Sequence, residues 1–595
     1  MIVSSSPELS TRTFGNEDRL PPVPVPALED SCHRFLDWCA PLLTADELAE
    51  TRAAVDAFLE PGSPAHELQS LLEAYDSTEG VHSWLDTFWP YRYLGRRDRI
   101  ALNANFFFLF ADSGLGQVER AAGLAAAAVD YKLRLDEESI PPIVLRGQPQ
   151  SMVQHRFLFS ATRIPGAELD TARTPYREDW PGPSTARHIV VFHRDTPFRL
   201  DVLAPDGRPY DTDQLIAGLH TIMKTGRAID DPSAAAGHFT TKARAEWAAT
   251  RQALLDAGNA EALETIETAL FCLCLEDLTP SGPQEACDQL LHGDSGNRWF
   301  DKAVSLIVFA DGTAGINVEH CELDGTTILG FTDALLAGDR VTRPGAEGVP
   351  AFSRIDFALD DALRADAREA AASFRAYADA TATKILSFEN FGASRAKQLG
   401  MSPDGFAQMA YQLAHKRAKG LIGATYESIA TRQFRNGRTE AMRVVTPEVL
   451  RFVAVMDDEN ASREERREAF RTAAAKHVAR AKECQAGDAP EQHLWELQLI
   501  QKRRGGDTAL PLYESPGWVR MRDDYLSTSS APSVNIQYFG FGSTSPQCIG
   551  VAYVLLPDRL NIYLSTPRHV AHEMTLFAGE LTSAVRELEE LLATE

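Results

Sequence analysis

Val304-Ser305-Leu306-Ile307-Val308-Phe309, then Asp311-Gly312, then Ala314-Gly315-Ile316-Asn317-Val318-Glu319-His320: two apolar runs flank a two-residue turn signal. Asp-Gly supplies the positive φ that a tight turn needs, so the stretch reads as a β-hairpin. Its second arm runs straight into Cys321-Glu322-Leu323-Asp324-Gly325. Side chains alternate along a strand, which is expected to put His320 and Glu322 on one face and Cys321 on the other. An imidazole titrates near pH 6.5, so a histidine at a strand end is placed for proton transfer. By itself the motif is more often structural than catalytic. Cys321 reads as a small packed hydrophobe, not as a nucleophile paired with the histidine.

Outward from the hairpin, strands and helices interleave. His188–Phe192 and Phe198–Leu203 read as a strand pair around Arg194–Thr196. Ala260–Leu275 reads as a buried helix or a strand pair, and Ala121–Leu133 as an alanine-rich helix. The aromatic run ending in Phe106-Phe107-Phe108-Leu109-Phe110 is expected to be buried. Beyond the hairpin, Leu363–Ile385 is expected to be one long helix. Pro403-Asp404 opens another to about Gly420, Arg463–Ala481 is charged and amphipathic, and His569–Leu592 closes the chain as a helix. After the Arg463–Ala481 helix, the remainder to Ile562 is expected to be largely strand. The interleaving indicates an α/β class.

At 595 residues the chain is too long for one ordinary core, so at least two domains are expected. The formal net charge of -25 repels nucleic acid and anionic membrane at long range. It would also repel an anionic co-substrate, which then needs a local basic patch. The eight cysteines show no zinc spacing and suggest no disulfide framework, which fits a reducing cytoplasm. No apolar run is long enough to span a membrane. The first thirty residues lack an apolar core and read as polar and loose at their start, and Ala593-Thr594-Glu595 is no peroxisomal address.

Several further blocks stand in one order along the chain. They are Leu20–Pro26 (LPPVPVP), Tyr93-Leu94-Gly95 with Asn103, Arg187-His188-Ile189-Val190-Val191, and Asn297-Arg298-Trp299-Phe300-Asp301-Lys302. After Glu319-His320 and Asp324-Gly325 come Ser402-Pro403-Asp404, Thr425-Tyr426-Glu427-Ser428, Gly437-Arg438-Thr439-Glu440 and Leu526-Ser527-Thr528-Ser529. Together they resemble the choline/carnitine acyltransferase family over nearly the whole chain. The resemblance implies two similar α/β domains related to chloramphenicol acetyltransferase. Each would be a mixed sheet flanked by helices, with an active-site tunnel at their interface. Residues 1–85 with 112–380 would form the N-terminal domain carrying the histidine. Residues 86–111 with 381–595 would form the C-terminal domain carrying the coenzyme A (CoA) and acceptor contacts.

The same resemblance implies roles. His320 would be the general base and Ser529 the oxyanion donor. Asp324 would either support His320 or form a buried ion pair with Arg438 or Arg443 that holds the loop. For CoA, Lys397 matches one of the family's two lysines, Ala393 replaces the other with Arg395 nearby, and Asp404 matches a CoA contact. In the acceptor site Tyr426 and Thr439 match carnitine-carboxylate contacts, with Ser527 alongside. Phe539 matches the aromatic facing a trimethylammonium group, and Gln537 stands where acyl length is gated. The family's carboxylate-binding arginine is replaced by Gln492, so the expected acceptor is a hydroxyl compound other than carnitine. The rivals are a true carnitine acyltransferase with a compensated carboxylate site and a CoA-binding protein without turnover. A condensation-type amide-forming domain fits less well, since Glu319 stands where that group carries a second histidine. The implied partners are acyl-CoA as co-substrate and a small-molecule acceptor. No metal, bound cofactor, nucleic acid or membrane span is implied, and a cytoplasmic monomer is expected.

Overall fold

The computed structural model describes residues 9–226, 229–506 and 510–593. The first eight positions of the polar start, and Thr594 and Glu595 of the C-terminal tripeptide, lie outside these. Two mixed sheets dominate. The first has eight strands in the order Phe352–Arg354, Thr196–Asp201, His188–His193, Cys272–Leu275, Val304–Val308, Ala314–Val318, Phe106–Phe110 and Ile536–Phe541. The second has six, in the order Thr381–Phe388, Leu560–Pro567, Ile549–Leu555, Asp524–Ser530, Ala424–Ala430 and Thr439–Arg443. Helices flank both, as expected for this α/β class.

The hairpin forms as read, with Ile316 opposite Leu306. Gly312 takes φ +86° at its turn, and a Cβ there would meet the Leu115 carbonyl oxygen at 2.0 Å. Both arms are buried on both faces, because helices cover the sheet. The segment 260–275 resolves into a helix, Ala260–Thr268, and a buried strand, Cys272–Leu275. The 403 helix starts at Pro403 with Ser402 accepting from the Gly405 N–H, and stops at left-handed Gly420.

The expected long helix over 363–385 divides. A helix spans Asp361–Asp379, and Thr381–Phe388 is an edge strand paired antiparallel with Leu560–Pro567. Thr381, Thr383 and Ile385 carry β-branched side chains, and pairing with the neighbouring strand overrides the helical periodicity. The stretch expected to be largely strand also holds the helices Glu491–Arg503 and Pro516–Arg522.

Each sheet has its own apolar core, and two segments near the N-terminus depart from the expected division, while Phe88 and Trp89 keep to it in the core of the second sheet. Phe106–Phe110, assigned above to the C-terminal half, hydrogen-bonds into the first sheet next to the histidine hairpin. The helices of residues 28–76, assigned to the N-terminal half, bury Phe35, Trp38 and Phe58 in the core of the second sheet. Burial decides both: five consecutive buried apolar residues need a covered strand position, and the early helices need an apolar face to lie on. Ile536–Phe541 leaves the second half to become the edge strand of the first sheet, pairing with Phe106–Phe110. This crossing strand binds the two sheets together beside the histidine loop.

Candidate active site

The strand carrying the histidine stops at Val318, so the expected strand alternation does not govern His320. Glu319 ends it. Its carboxylate accepts from Arg163 at 3.1 Å and from the Cys321 N–H at 3.1 Å. Arg163 is itself tied to Asp170 at 2.6 Å, and Asp170 to Arg244. This buried ion network fixes the backbone on one side of His320. Cys321 is buried, as read, and Glu322 pairs with Arg177.

Arg438 fixes the other side. Its guanidinium donates to both Asp324 carboxylate oxygens, at 2.8 and 3.2 Å. It also donates to the carbonyls of Cys321 at 2.7 Å and His320 at 3.2 Å. It stacks over Trp89 and Tyr93 at 4.7 and 5.1 Å. Gln154 completes the clamp, donating to Asp324 Oδ2 and accepting from the Asp324 N–H, both at 2.8 Å. Of the two partners foreseen for Asp324, Arg438 is the one present. Arg443 instead binds Glu491 and Asp524.

The His320 ring lies between Tyr93, at 4.9 Å, and Phe106, at 5.1 Å. Its Nδ1 is buried without a hydrogen bond, 3.6 Å from Asp324 Oδ1. The ring lines the cavity, so Nε2 is the nitrogen left to face it. Burial pushes the imidazole below its ordinary value; Asp324 opposes that shift and Arg438 adds to it. His320 is therefore neutral, and able to take a proton, near neutral pH. Burial would raise the Asp324 carboxyl, but Arg438 outweighs it and holds the group below the usual carboxylate range.

A cavity of about 810 Å³ lies against this loop. It is lined by His320, Asp324 and Phe106 from the first sheet's side. Asp404, Tyr426, Thr439, Ser527 and Ser529 line it from the second, and Phe539 from the crossing strand. On Asp524–Ser530 the residues alternate. Thr528 turns away, accepting from Gln408 and donating to the Tyr426 carbonyl, which sends Ser527 and Ser529 the other way. Phe539 packs edge-on against Phe108 and Phe106.

Four expected residues do not line the cavity. Lys397 is exposed on a short helix, and Arg395 on the same helix is paired with Glu589 at 2.6 Å. Gln492 is fully buried behind the edge strand and donates to the Thr439 carbonyl at 2.8 Å. Its neighbour Glu491 lines the cavity instead, because one residue along a helix turns the side chain by about 100°. Gln537 binds the Phe110 carbonyl at 2.9 Å.

Sequence reading missed three groups. Gln154 lies in an unremarkable stretch with no motif to mark it. Arg92 sits on a π-helical turn, Pro90–Leu94, that brings it to the cavity wall. Glu427, within a recognised block, is buried beside His477 and half-buried Asp404, and the ligand-capable atoms of the three lie within 4.8 Å of one another. Burial and Asp404 push the Glu427 carboxyl up; burial would raise Asp404 as well, but His477 and Tyr553 hold it down.

Comparison with known proteins follows the same lines. Residues 23–583 match the family described as Choline/Carnitine o-acyltransferase. Carnitine O-acetyltransferase of Rattus norvegicus is 29% identical over 581 residues, covering 94% of this chain and 91% of that protein. Mitochondrial carnitine O-palmitoyltransferase 2 of Mus musculus is 29% identical over 600 residues, covering 93% and 89%. Among solved structures, TRI3 trichothecene 15-O-acetyltransferase from Fusarium sporotrichioides aligns with a TM-score of 0.36 at 10% identity, over 83% of this chain and 92% of that one. With a family match over nearly its whole length, the chain is an acyltransferase and belongs to the choline/carnitine O-acyltransferase family.

Proposed function

We propose that the protein moves an acyl group between CoA and the hydroxyl of a small acceptor, with His320 as general base. One observation carries the reading. A neutral imidazole, clamped from both flanks, presents its free nitrogen to a cavity walled by both sheets. In the forward direction His320 takes the acceptor's hydroxyl proton as the oxygen attacks the thioester carbonyl. The C–S bond breaks and the departing thiolate recovers the proton from His320. Ser529, on the opposite wall, is the donor proposed for the oxyanion. Asp324 acts through His320, keeping the ring oriented while Arg438 keeps Asp324 ionised.

CoA is proposed to approach along the side of the 403 helix, past Asp404, with exposed Lys397 available to its phosphates. Arg395, engaged by Glu589, contributes less. The acceptor is a hydroxyl compound bound among Tyr426, Thr439, Ser527 and Phe539. It is held differently from carnitine in the family's enzymes, because Gln492 is withdrawn from the cavity. The two sheets with their separate cores are read as two domains. Eight buried, unpaired cysteines support a cytoplasmic setting. No helix among the described residues is long and apolar enough to cross a membrane.

The test is thiol release from acetyl-, hexanoyl- and palmitoyl-CoA with carnitine, choline or a small-molecule cell extract as acceptor. His320→Ala is expected to lower turnover by about 10²–10⁴. Turnover that survives that substitution unchanged would refute the assignment.

A further inference from the structure

The polar segment near the start of the chain forms a strap across both cores. Thr13 ties it to the first sheet's side: its N–H donates to the Glu138 carbonyl at 3.1 Å and its hydroxyl to the Ile140 carbonyl at 2.7 Å. The Phe14 ring packs against the first core and lies 4.6 Å from the Arg156 guanidinium. Further along, Val23 is buried in the second core. Between these anchors the Pro21 carbonyl accepts from the Arg435 N–H at 2.8 Å, and Asp18 pairs with Arg435 at 2.9 Å. Residues 9–22 precede the segment 23–583 that matches the family.

Glu17 lies within the strap and holds the segment from which Gln154 reaches the active-site loop. One of its carboxylate oxygens accepts from the Met152 N–H at 2.5 Å and the other from the Ser151 hydroxyl at 2.9 Å. The Met152 carbonyl in turn accepts from the His155 N–H at 2.9 Å, inside the short 3-10 turn Val153–Phe157 that carries Gln154. The Gln154 amide grips Asp324 and accepts from the Thr327 hydroxyl at 2.8 Å. Ser151 is also joined to the loop that carries Arg438. Its N–H donates to the Arg432 carbonyl at 2.6 Å, and its carbonyl accepts from the Arg432 guanidinium at 2.7 and 3.1 Å. The Thr431 N–H donates to the Arg438 carbonyl at 2.9 Å and closes that loop on itself. Gln154 and Arg438, the two side chains that grip Asp324, therefore stand on segments that meet at Ser151, and Glu17 braces the meeting point. Arg432 is buried there, and Asp324 and Glu17 are the carboxylates that act on its charge.

A carboxylate that accepts from two donors fixes the position of both, because hydrogen bonds to a charged group are shorter and stronger than neutral ones. Without it the Met152 N–H and the Ser151 hydroxyl lose their acceptor, and the turn carrying Gln154 is free to shift against Asp324. We propose that Glu17 is a positioning residue for acyl transfer, acting on His320 through Ser151–Met152, Gln154 and Asp324. This rests on the reading of His320 as the base. Glu17 lines no part of the cavity, so its effect falls on the orientation of the base and not on the binding of either substrate.

The test follows thiol release from acetyl-CoA on the full chain, with carnitine, choline and a small-molecule cell extract pooled as acceptors. Glu17→Ala is expected to lower kcat by about 10- to 100-fold, the upper figure being the loss when a reacting group shifts by about 1 Å, and to leave the KM for acetyl-CoA unchanged. Glu17→Gln keeps one acceptor oxygen and is expected to recover part of the rate. Arg12→Ala breaks an exposed contact of the strap, with Glu138, that does not reach the clamp, and is expected to keep the wild-type kcat. The decisive comparison is made in the Gln154→Leu background. There Glu17→Ala is expected to change kcat by no more than about twofold, the ordinary scatter of additive effects. A brace that only stabilised the fold would cost the same rate in either background. Should Glu17→Ala not fold, Glu17→Gln is taken through the same pair. A wild-type kcat in the Glu17 variants, a rise in KM that accounts for the whole loss, an equal loss in Arg12→Ala, or an undiminished Glu17 effect in the Gln154→Leu background would each overturn the proposal. If His320→Ala still abolishes turnover in those cases, acyl transfer through His320 stands without it. If His320→Ala leaves turnover intact, the assignment of the base fails and this proposal falls with it.

Discussion

Replacing Arg438 with leucine should break the active-site loop from beneath. The guanidinium gives four hydrogen bonds, two to Asp324 and two to the His320 and Cys321 carbonyls. Both members of the ion pair are almost wholly inaccessible, with side-chain exposures of 8% and 3%. Removing one partner of such a pair costs about 3–5 kcal/mol, mostly because the other charge is left buried. Asp324 then becomes protonated, or the loop opens to water. Either way the carboxylate opposite His320 Nδ1 is lost and two backbone carbonyls lose their anchor. A ring displaced by about 1 Å loses on the order of 10² in rate. The double variant Arg438→Leu/Asp324→Leu separates the effects. It removes both charges and should recover most of the stability, less about 1–3 kcal/mol for the Gln154 amide left unpaired. It should recover none of the rate. Urea unfolding followed by fluorescence gives the stability, and thiol release from acetyl-CoA gives the rate. A single variant that loses under about 1 kcal/mol, or a double variant whose loss equals the sum of the two singles, would refute the argument.

Ser529→Ala should lower turnover by about 10²–10³ with little change in unfolding midpoint, if the hydroxyl acts on the oxyanion; an unchanged rate would remove it from the mechanism. Gln154→Leu should cost about 1–3 kcal/mol by stranding polar groups on Asp324 and Thr327, and should depress turnover through His320; wild-type stability and rate together would show the clamp to be dispensable. His493 is buried between Ser31 and Gln69, and burial pushes its imidazole down to about 3. The unfolded chain takes up that proton first, so the stability this group contributes is complete above pH 6.5 and lost as pH falls toward the folded value. At pH 5 the loss is roughly 2 kcal/mol, and His493→Gln should flatten the pH 7 to pH 5 stability difference by about that much. An identical pH slope in the variant would contradict the assigned neutral state. Lys397→Ala should raise the KM for acetyl-CoA, and more so at low salt; no salt-dependent difference would dissociate Lys397 from the phosphates.

The hairpin and its histidine were legible because they depend on local rules. Asp311-Gly312 fixes a turn wherever it sits between two apolar runs, and His320 follows the second run whatever the rest of the chain does. The ordered blocks carried the family for a related reason: each is a local requirement, a cap at Ser402-Pro403 or a loop at Glu319–Gly325. Helix and strand could not be told apart at 380, because the strand Thr381–Phe388 exists only through its neighbour at Leu560–Pro567, far away in sequence. The placement of Phe106–Phe110 was equally invisible. Its partners are the histidine hairpin and a strand from the far end of the chain, and no local pattern names either.

At the site the sequence by itself determined which chemical groups were present. His320, Asp324, Ser527, Ser529, Tyr426 and Thr439 were all found from their motifs, and all line one cavity. The tertiary structure alone decided which charges meet. Arg438 lies 114 residues from Asp324 and closes on it because two sheets pack face to loop. Gln492 and Glu491 differ by one step along a helix, and that rotation buries the amide and turns the carboxylate toward Arg443.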